Sequence, residues 1–391
     1  MKVLTVSNLY RPYSRGGAET VVQTMSEGFQ EAGWQVSILT TTPFAGSKSF
    51  RAELSLEGKE SVYRFFPLNL FSYAFIGKHS MLARALWGMI DICNLHSYVV
   101  ARRVLSREQP DLVVTHNLRG LGYLLPRLFA KHAKRYVHIV HDVQLVEPSG
   151  LLFSGEEARR LRSPLRRVYR LLTRYLFSSI PITIFPSQFL NDFYTRYGLF
   201  SKTKKVVLPN AAPTSNQKKK GHDGINFVYI GQIEKQKGIT VLLEAWSQMK
   251  HENCRLLLVG AGSYLSAVQK AATRDTSIIA SGFLTQEQLD AIWEVADVFV
   301  YPSLLLENCP RSIIEALSRG VLVVASDSGG MAELTALSSG IKMVPAGDSG
   351  ALAKALFESI DSTKVGDSVA PVVFATPKEY IEKLIDLTQK T

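Results

Sequence analysis

The chain has 391 residues, of which 46% are hydrophobic and 20% charged, with a net charge of +11. These values suit a folded protein of two or three domains and exclude a disordered one. No apolar run reaches the length of a membrane span, MKVLTVSNLY opens as a strand rather than a secretory leader, and the distant Cys93, Cys254 and Cys309 form neither a disulfide framework nor zinc spacing, so a reducing compartment is expected.

In chain order, Lys2–Ser7 reads as a strand and Ala18–Ala32 as a helix with Val21, Val22, Met25 and Phe29 on its apolar face. After Gly33, Val36–Thr40 reads as a second strand, which completes a βαβ unit. The first turn, RPYSRGGAETVV, sets Gly16 and Gly17 between strand and helix. Backbone without a Cβ can approach a ligand there, beneath a helix N-terminus that favours negative charge. Glu19 reads as a helix-start carboxylate. The alternation continues through Leu112–Thr115, Val137–Val140 and Ile182–Phe185. PDLVVTHNL leaves His116 at a strand end, and YVHIVHDV leaves His141 and Asp142 there, with His138 earlier on the same strand.

Next comes GEEARRLRSPLRRVYRLLTRYLF, seven arginines interleaved with Leu165, Val168, Leu171, Leu172 and Leu176. An apolar face with basic flanks suits an anionic membrane surface, and equally a core-packed helix with solvated arginines. Residues 1–210 carry 28 Lys and Arg against 14 Asp and Glu, while residues 211–391 carry 17 against 20. One half is therefore expected to face an anionic partner: nucleic acid, an acidic membrane or a phosphorylated substrate. No nucleic-acid-binding module is readable.

Periodicity lapses in PNAAPTSNQKKKGHDG, residues 209–224, an exposed linker. It returns with strands Asn226–Ile230, Arg255–Val259 and Ser277–Ala280 alternating with helices Thr240–Lys250, Ser263–Thr273 and Gln286–Val295. The stretch ADVFVYPSLLLENCPRSIIEALSRGVLVVASDSGG follows. It reads as strand Val298–Tyr301, a loop, helix Arg311–Arg319, Gly320 at its end, and strand Val321–Ala325. Glu307 and Glu315 bracket the loop-to-helix turn, at the carboxyl end of a parallel strand where doubly wound folds bind ligands. Carboxylates beside such a turn would grip hydroxyls rather than phosphate. Strand Lys342–Val344 and helix Gly350–Ile360 close the series. The tail, PKEYIEKLIDLTQK, places Tyr380, Ile381, Leu384, Ile385 and Leu387 at helical spacing.

The Glu307–Glu315 segment resembles the Glu-x7-Glu signature of retaining GT-B glycosyltransferases, family four in particular, in its E-x-x-P variant. The resemblance implies two Rossmann-like doubly wound α/β domains facing an interdomain cleft. Residues 1–208 would form the acceptor-side domain, 209–224 the linker and 225–372 the nucleotide-sugar domain, with the helix of 373–391 packing back on the first. It implies that Glu307 contacts the transferred sugar and Glu315 the ribose, with Asn308, Cys309, Pro310, Arg311 and Ser312 lining sugar and diphosphate. Pro310 can donate no N–H there, and Cys309 reads as a packing residue. Gly16 and Gly17 match the family's P-x-x-G-G-x-E loop, and His141 its sugar-contacting histidine; His116 would line the acceptor side. YIGQIEKQKGI matches G-R-L-x-x-x-K-G at Gly231, Lys237 and Gly238, with Gln232 in place of arginine. A neutral donor there is weaker than a charged one, which leaves Lys237 the main cation for the diphosphate. Ser328–Glu333 resembles the family's G-G-x-P-E segment, with Ala332 for proline.

The activity implied is transfer of a hexose from a nucleotide sugar, UDP by family frequency, to a glycan or lipid-linked acceptor. Polysaccharide or glycolipid synthesis at the cytoplasmic side of a membrane would be its setting, with residues 159–176 as a peripheral membrane contact. His141, Lys237 and Glu307 would be the catalytic residues. No cofactor or metal is expected, since no Asp-x-Asp and no ligand-spaced cluster occurs, and no nucleic-acid partner is expected. The alternative, prompted by Gln232, is an inactive homologue acting as a binding subunit.

Overall fold

The computed structural model describes residues 1–14, 16–212, 219–249, 252–364 and 369–389; part of the expected linker, 213–218, lies outside them. In chain order the elements are β1 (Lys2–Val6), α1 (Gly17–Glu31), β2 (Gln35–Thr41), β3 (Glu53–Glu57), β4 (Glu60–Phe65), α2 (Met81–Ile92), α3 (Leu95–Glu108), β5 (Leu112–Thr115), α4 (Leu125–His132), β6 (Tyr136–Ile139), α5 (Glu157–Leu161), α6 (Pro164–Leu176), β7 (Ile182–Phe185), α7 (Gln188–Arg196) and β8 (Lys204–Val207). They continue as β9 (Ile225–Ile230), α8 (Ile239–Gln248), β10 (Cys254–Val259), α9 (Leu265–Arg274), β11 (Ile278–Gly282), α10 (Gln286–Glu294), β12 (Val298–Tyr301), α11 (Arg311–Ser318), β13 (Leu322–Asp327), α12 (Met331–Thr335), β14 (Ile341–Pro345), α13 (Ser349–Lys364) and α14 (Pro377–Gln389).

Two compact units result. The first comprises Met1–Pro148, Arg162–Ala211 and Ala375–Thr391, the second Ser149–Leu161 and Ala212–Phe374. The first is thus not continuous over 1–208: Ser149–Leu161 groups with the second unit because its backbone pairs there. Phe153 bridges Leu305, the Ser154 N–H donates to Leu304 O (3.0 Å) and the Leu306 N–H to Leu152 O (2.8 Å).

In the first unit the sheet order is β3-β4-β2-β1-β5-β6-β7-β8, parallel except for the antiparallel β3–β4 hairpin. Fully buried strands read as continuous apolar runs, which is why β1, β5, β6 and β7 were legible. Val3, Val114, Val137 and Ile182 pack with Val22, Met25 and Phe29 of α1 and with Tyr380, Ile381 and Leu384 of α14. The helix contact is close at Gly28, where a Cβ would lie 2.5 Å from Pro377 O. A carboxylate also ties the unit together: buried Glu60 accepts from Tyr10 Oη (2.8 Å), Arg11 Nη2 (2.7 Å) and Ser26 Oγ (2.5 Å).

In the second unit the sheet is β11-β10-β9-β12-β13-β14, parallel throughout. Trp246 and Phe227 fill one face with α8 and α13, Trp293, Phe299, Ile313 and Leu317 the other with α10 and α11. The strand order reverses between β9 and β12 here, and between β1 and β5 in the first unit. Such switch points open a crevice at the carboxyl ends of the strands.

The arginine-rich stretch does not form one surface within one unit: Arg159 and Arg160 fall in the second unit and α6 in the first. Leu176 of α6 is buried, but Leu165, Val168 and Leu171 are solvent-exposed. Arg166 pairs with buried Glu147 and Arg170 lies over the Tyr197 ring, so both are committed to the fold. Among the described residues no helix is long and apolar enough to cross a membrane.

Candidate functional site

At the β9–β12 switch point the chain leaves β9 through Gly231 and Gln232, makes one tight turn over Lys235–Lys237 and enters α8 at Gly238. Gly238 has φ 77°, and a Cβ there would lie 1.8 Å from Pro302 O. Only glycine lets this turn press on the end of β12. That approach brings Lys237 to Glu307: Nζ lies 2.7 Å from Oε1. Ser303 Oγ donates to the same oxygen at 2.6 Å, and the Tyr301 hydroxyl also bonds this carboxylate. Burial alone would raise the Glu307 pKa, but the Lys237 charge and these three hydrogen bonds outweigh it and hold the carboxyl below its ordinary range. Burial would likewise lower the Lys237 pKa, and Glu307 reverses the sign. The pair is therefore ionised, with side chains 20% and 15% exposed.

The backbone of Glu307 is fixed from two sides. The strap Leu152–Ser154 runs against Leu304–Leu306 before it, and Gly329 bridges Glu307 itself. The Gly330 N–H donates to Glu307 O at 2.7 Å and Ser328 Oγ to Leu305 O at 2.7 Å. Gly329 has φ 67°, and a Cβ on it would sit 2.2 Å from Glu307 O. Ser328-Gly329-Gly330 thus acts by holding the glutamate loop. Beyond it α11 begins at Arg311 with Pro310 as N-cap and no side-chain cap, a terminus whose first-turn amides suit an anion. Asn308 and Cys309 are buried, Cys309 within the apolar cluster under α11. Arg311 Nε bonds Glu315 Oε1 at 2.8 Å one turn on. Gln232 adjoins the same switch point, its carbonyl accepting from Tyr229 Oη (2.7 Å). Gln232, Lys237, Glu307, Asn308–Ser312 and Glu315 thus share two neighbouring strand-to-helix connections. A hollow of about 360 Å³ at the ends of β13 and β14, lined by Ser154, Asp327 and Pro345, includes neither Lys237 nor Glu307.

In the first unit, His116 follows β5 and His141 follows β6. His116 Nδ1 lies 2.8 Å from His141 Nε2, and the rings stack at 5.1 Å. His138 faces elsewhere: it bonds Thr115 Oγ1 at 2.8 Å and packs against Phe177 and Phe200. His138 lies within β6 whereas His141 lies two residues beyond its end, so their rings meet different partners. Burial lowers all three imidazoles, His141 to about 4 and His138 to about 3, which keeps them neutral at pH 7. Asp142 is pushed up to about 6 by burial, although the Gln144 amide and Asn117 oppose it. Gly16 and Gly17 open α1; the Gly16 N–H donates to Glu19 Oε2 at 2.8 Å, and a Cβ on Gly17 would meet nothing within 4 Å.

Tyr301 and Ser303, which hold Glu307, went unread in the sequence, though the segment YPS at a strand end was a signal. The His116–His141 contact had none, because it joins strands of adjacent βα units. Among the described residues no group of three or more His, Cys, Asp or Glu is placed to hold a metal ion.

A family model described as Glycosyltransferase Family 4 matches residues 15–216, and one described as Glycosyl transferases group 1 matches residues 224–362. An uncharacterized 42.6 kDa protein from the cps region of Klebsiella pneumoniae is 23% identical over 345 residues, which is 86% of this chain and 87% of that protein. The putative teichuronic acid biosynthesis glycosyltransferase TuaC of Bacillus subtilis is 22% identical over 360 residues, 85% of this chain and 83% of TuaC. Anabaena HepE, solved in complex with UDP and glucose, superposes with a TM-score of 0.65 at 17% identity, covering 99% of this chain and 95% of HepE. The common ground with such structures is the GT-B fold.

Proposed function

Because the chain belongs to glycosyltransferase family 4, we propose that it transfers a hexose from a nucleotide sugar to an acceptor hydroxyl, with retention of anomeric configuration, in polysaccharide or glycolipid synthesis. The observation that carries this is the Lys237–Glu307 ion pair at the β9–β12 switch point, beside the N-terminus of α11. Lys237 keeps two further N–H donors while bonded to Glu307, enough to meet diphosphate oxygens as negative charge gathers on the leaving group. Glu307, held ionised, accepts hydrogen bonds from the transferred sugar. Glu315, oriented by Arg311, takes the ribose. The side chains and backbone of Asn308–Ser312 line sugar and diphosphate, and His141 contributes as a neutral hydrogen-bonding group. UDP is the proposed nucleotide, in keeping with the UDP of the HepE complex. The acceptor is a glycan, carried on a lipid, and α6 lies against the anionic leaflet with Leu165, Val168 and Leu171 outward.

The test is hydrolysis of a nucleotide-sugar panel without acceptor, read as release of nucleoside diphosphate. Slow release from a UDP-hexose, abolished in Lys237→Ala, is expected. Binding of nucleotide sugars without any release would favour a non-catalytic binding subunit, which Gln232 makes the rival reading.

A further inference from the structure

Helix α2 turns its apolar side outward. Met81, Leu82, Leu86, Met89 and Ile90 are 80%, 73%, 44%, 62% and 41% exposed, whereas Trp87 and Asp91 are 1% and 2% exposed. At about 100° per residue the five apolar side chains fall in one half of the helix surface, and Trp87 and Asp91 in the other. Polar anchors fix this orientation. Trp87 Nε1 donates to Phe71 O (2.7 Å), and Asp91 Oδ2 accepts the Gly120 N–H (2.9 Å). Half a turn of rotation would bury the leucines but break both bonds. Leu95 and Val99 of the next helix, α3, are exposed as well.

The charge along this part of the chain has one sign. Between Phe66 and Arg107 the basic residues are Lys78, Arg84, Arg102, Arg103 and Arg107, all exposed, and Asp91 is the sole Asp or Glu and is buried. A second copy of the chain is a poor occupant, since a two-fold contact would set these basic residues against themselves. A convex apolar ridge among cations fits a surface that is fluid, apolar below and anionic above. We propose that the outward face of α2 docks on an anionic lipid bilayer, its Met and Leu side chains entering the headgroup–acyl boundary. The inference rests on the membrane-linked acceptor proposed above and adds to α6 a second apolar contact, on an element outside the arginine-rich stretch.

Cys93, directly after α2, is exposed, whereas Cys254 and Cys309 are buried, so a polarity-sensitive fluorophore can be placed on Cys93 alone. The expected result is a blue shift with vesicles of phosphatidylcholine and phosphatidylglycerol at low salt, absent with phosphatidylcholine alone and reversed by added salt. Leu82→Asp/Met89→Asp should weaken vesicle partitioning about tenfold or more while leaving thermal unfolding unchanged, since both side chains are solvated. Lys78→Glu/Arg84→Glu should weaken it too. Three outcomes would overturn the proposal: no response to phosphatidylglycerol vesicles, Leu82→Asp/Met89→Asp binding as tightly as wild type, or a concentration-dependent dimer that this double variant dissolves. A protein that hydrolyses donor but ignores vesicles would overturn it and leave the transferase reading intact.

Discussion

Glu307 and Glu315 are each held by a cation, but in settings that separate their effects. Glu307 is the hub of Lys237, Ser303 and Tyr301, while Glu315 answers to Arg311 on its own helix. Glu307→Gln keeps a side-chain oxygen for Ser303 and removes the charge, so turnover should fall steeply while UDP affinity, by calorimetry, stays near wild type. Glu315→Ala should weaken UDP itself by about 1–3 kcal/mol. Equal losses of affinity in the two variants would remove this division. Lys237→Ala should nearly abolish donor hydrolysis, and Gln232→Arg should tighten binding of nucleoside diphosphate relative to nucleoside. An unchanged ratio for Gln232→Arg would place the phosphates away from residue 232. Asp91 offers a test by pH. Burial pushes its pKa up to about 7, with the Gly120 amide and Arg119 opposing, so its charged form is disfavoured in the fold. A raised folded value in an acid means stability present at low pH and lost as pH rises from about 4 to 7. Asp91→Asn, neutral throughout, should therefore raise the melting temperature relative to wild type at pH 8 more than at pH 5; equal shifts at both would mean that Asp91 is charged in the fold without penalty. The residue scale was only partly legible in advance. Glu307 and Glu315 stood out within a strand–loop–helix frame, and Lys237 through the resemblance of YIGQIEKQKGI to a family motif. Ser303 and Tyr301 did not, because what singles them out is a hydrogen bond to a residue whose position depends on Gly238 and Gly329.

Elements were read well where burial imposes a pattern and poorly where it does not. The strands β9, β10 and β12 are apolar runs, and their extents were foreseen to within a residue or so. The β3–β4 hairpin was missed although ELSLE alternates and Val62, Tyr63 and Phe65 of β4 are buried, because five- and six-residue runs are short for a pattern to stand out. Helix α2 was missed too, although Met81, Leu82, Leu86, Met89 and Ile90 recur at helical spacing. The expected packing of the C-terminal helix can be probed at Gly28. A Gly→Ala change inside a helix ordinarily stabilises by about 1 kcal/mol. Here the added Cβ would sit 2.5 Å from Pro377 O and 2.9 Å from Ile381 Cγ1, so Gly28→Ala should destabilise instead, by about 1–3 kcal/mol. Denaturant melts give the sign, and faster proteolysis near Pro377 would locate the effect at α14. A stabilised Gly28→Ala protein would mean that α14 does not rest on α1.

For the whole molecule, two α/β units were evident from the lapse of periodicity near residue 209 and the return of the tail was expected from the family resemblance, but the excursion of residues 149–161 was not. The backbone passes from one unit to the other at Pro148–Ser149, Leu161–Arg162, Ala211–Ala212 and Phe374–Ala375. Composition signals the third of these alone, since the excursion of residues 149–161 is held by main-chain bonds that no side-chain pattern reports. A fragment beginning at residue 212 should therefore melt less cooperatively than the second unit within the full chain, and co-expression with a peptide of residues 149–161 should restore part of the loss. A fragment as cooperative alone as with the peptide would make the strap dispensable.

The strap also bears on how such enzymes can be recombined. Splicing the front half of one relative onto the back half of another, with the join at the linker, looks like a clean exchange of one unit for another. In this chain it would import a foreign Leu152–Ser154 against the resident Leu304–Leu306, the three residues of backbone that lead into Glu307. A hybrid joined at residue 211 thus alters the setting of the Lys237–Glu307 pair unintentionally, and one that also retains residues 149–161 and the native tail from 375 with their own partners is the fair exchange.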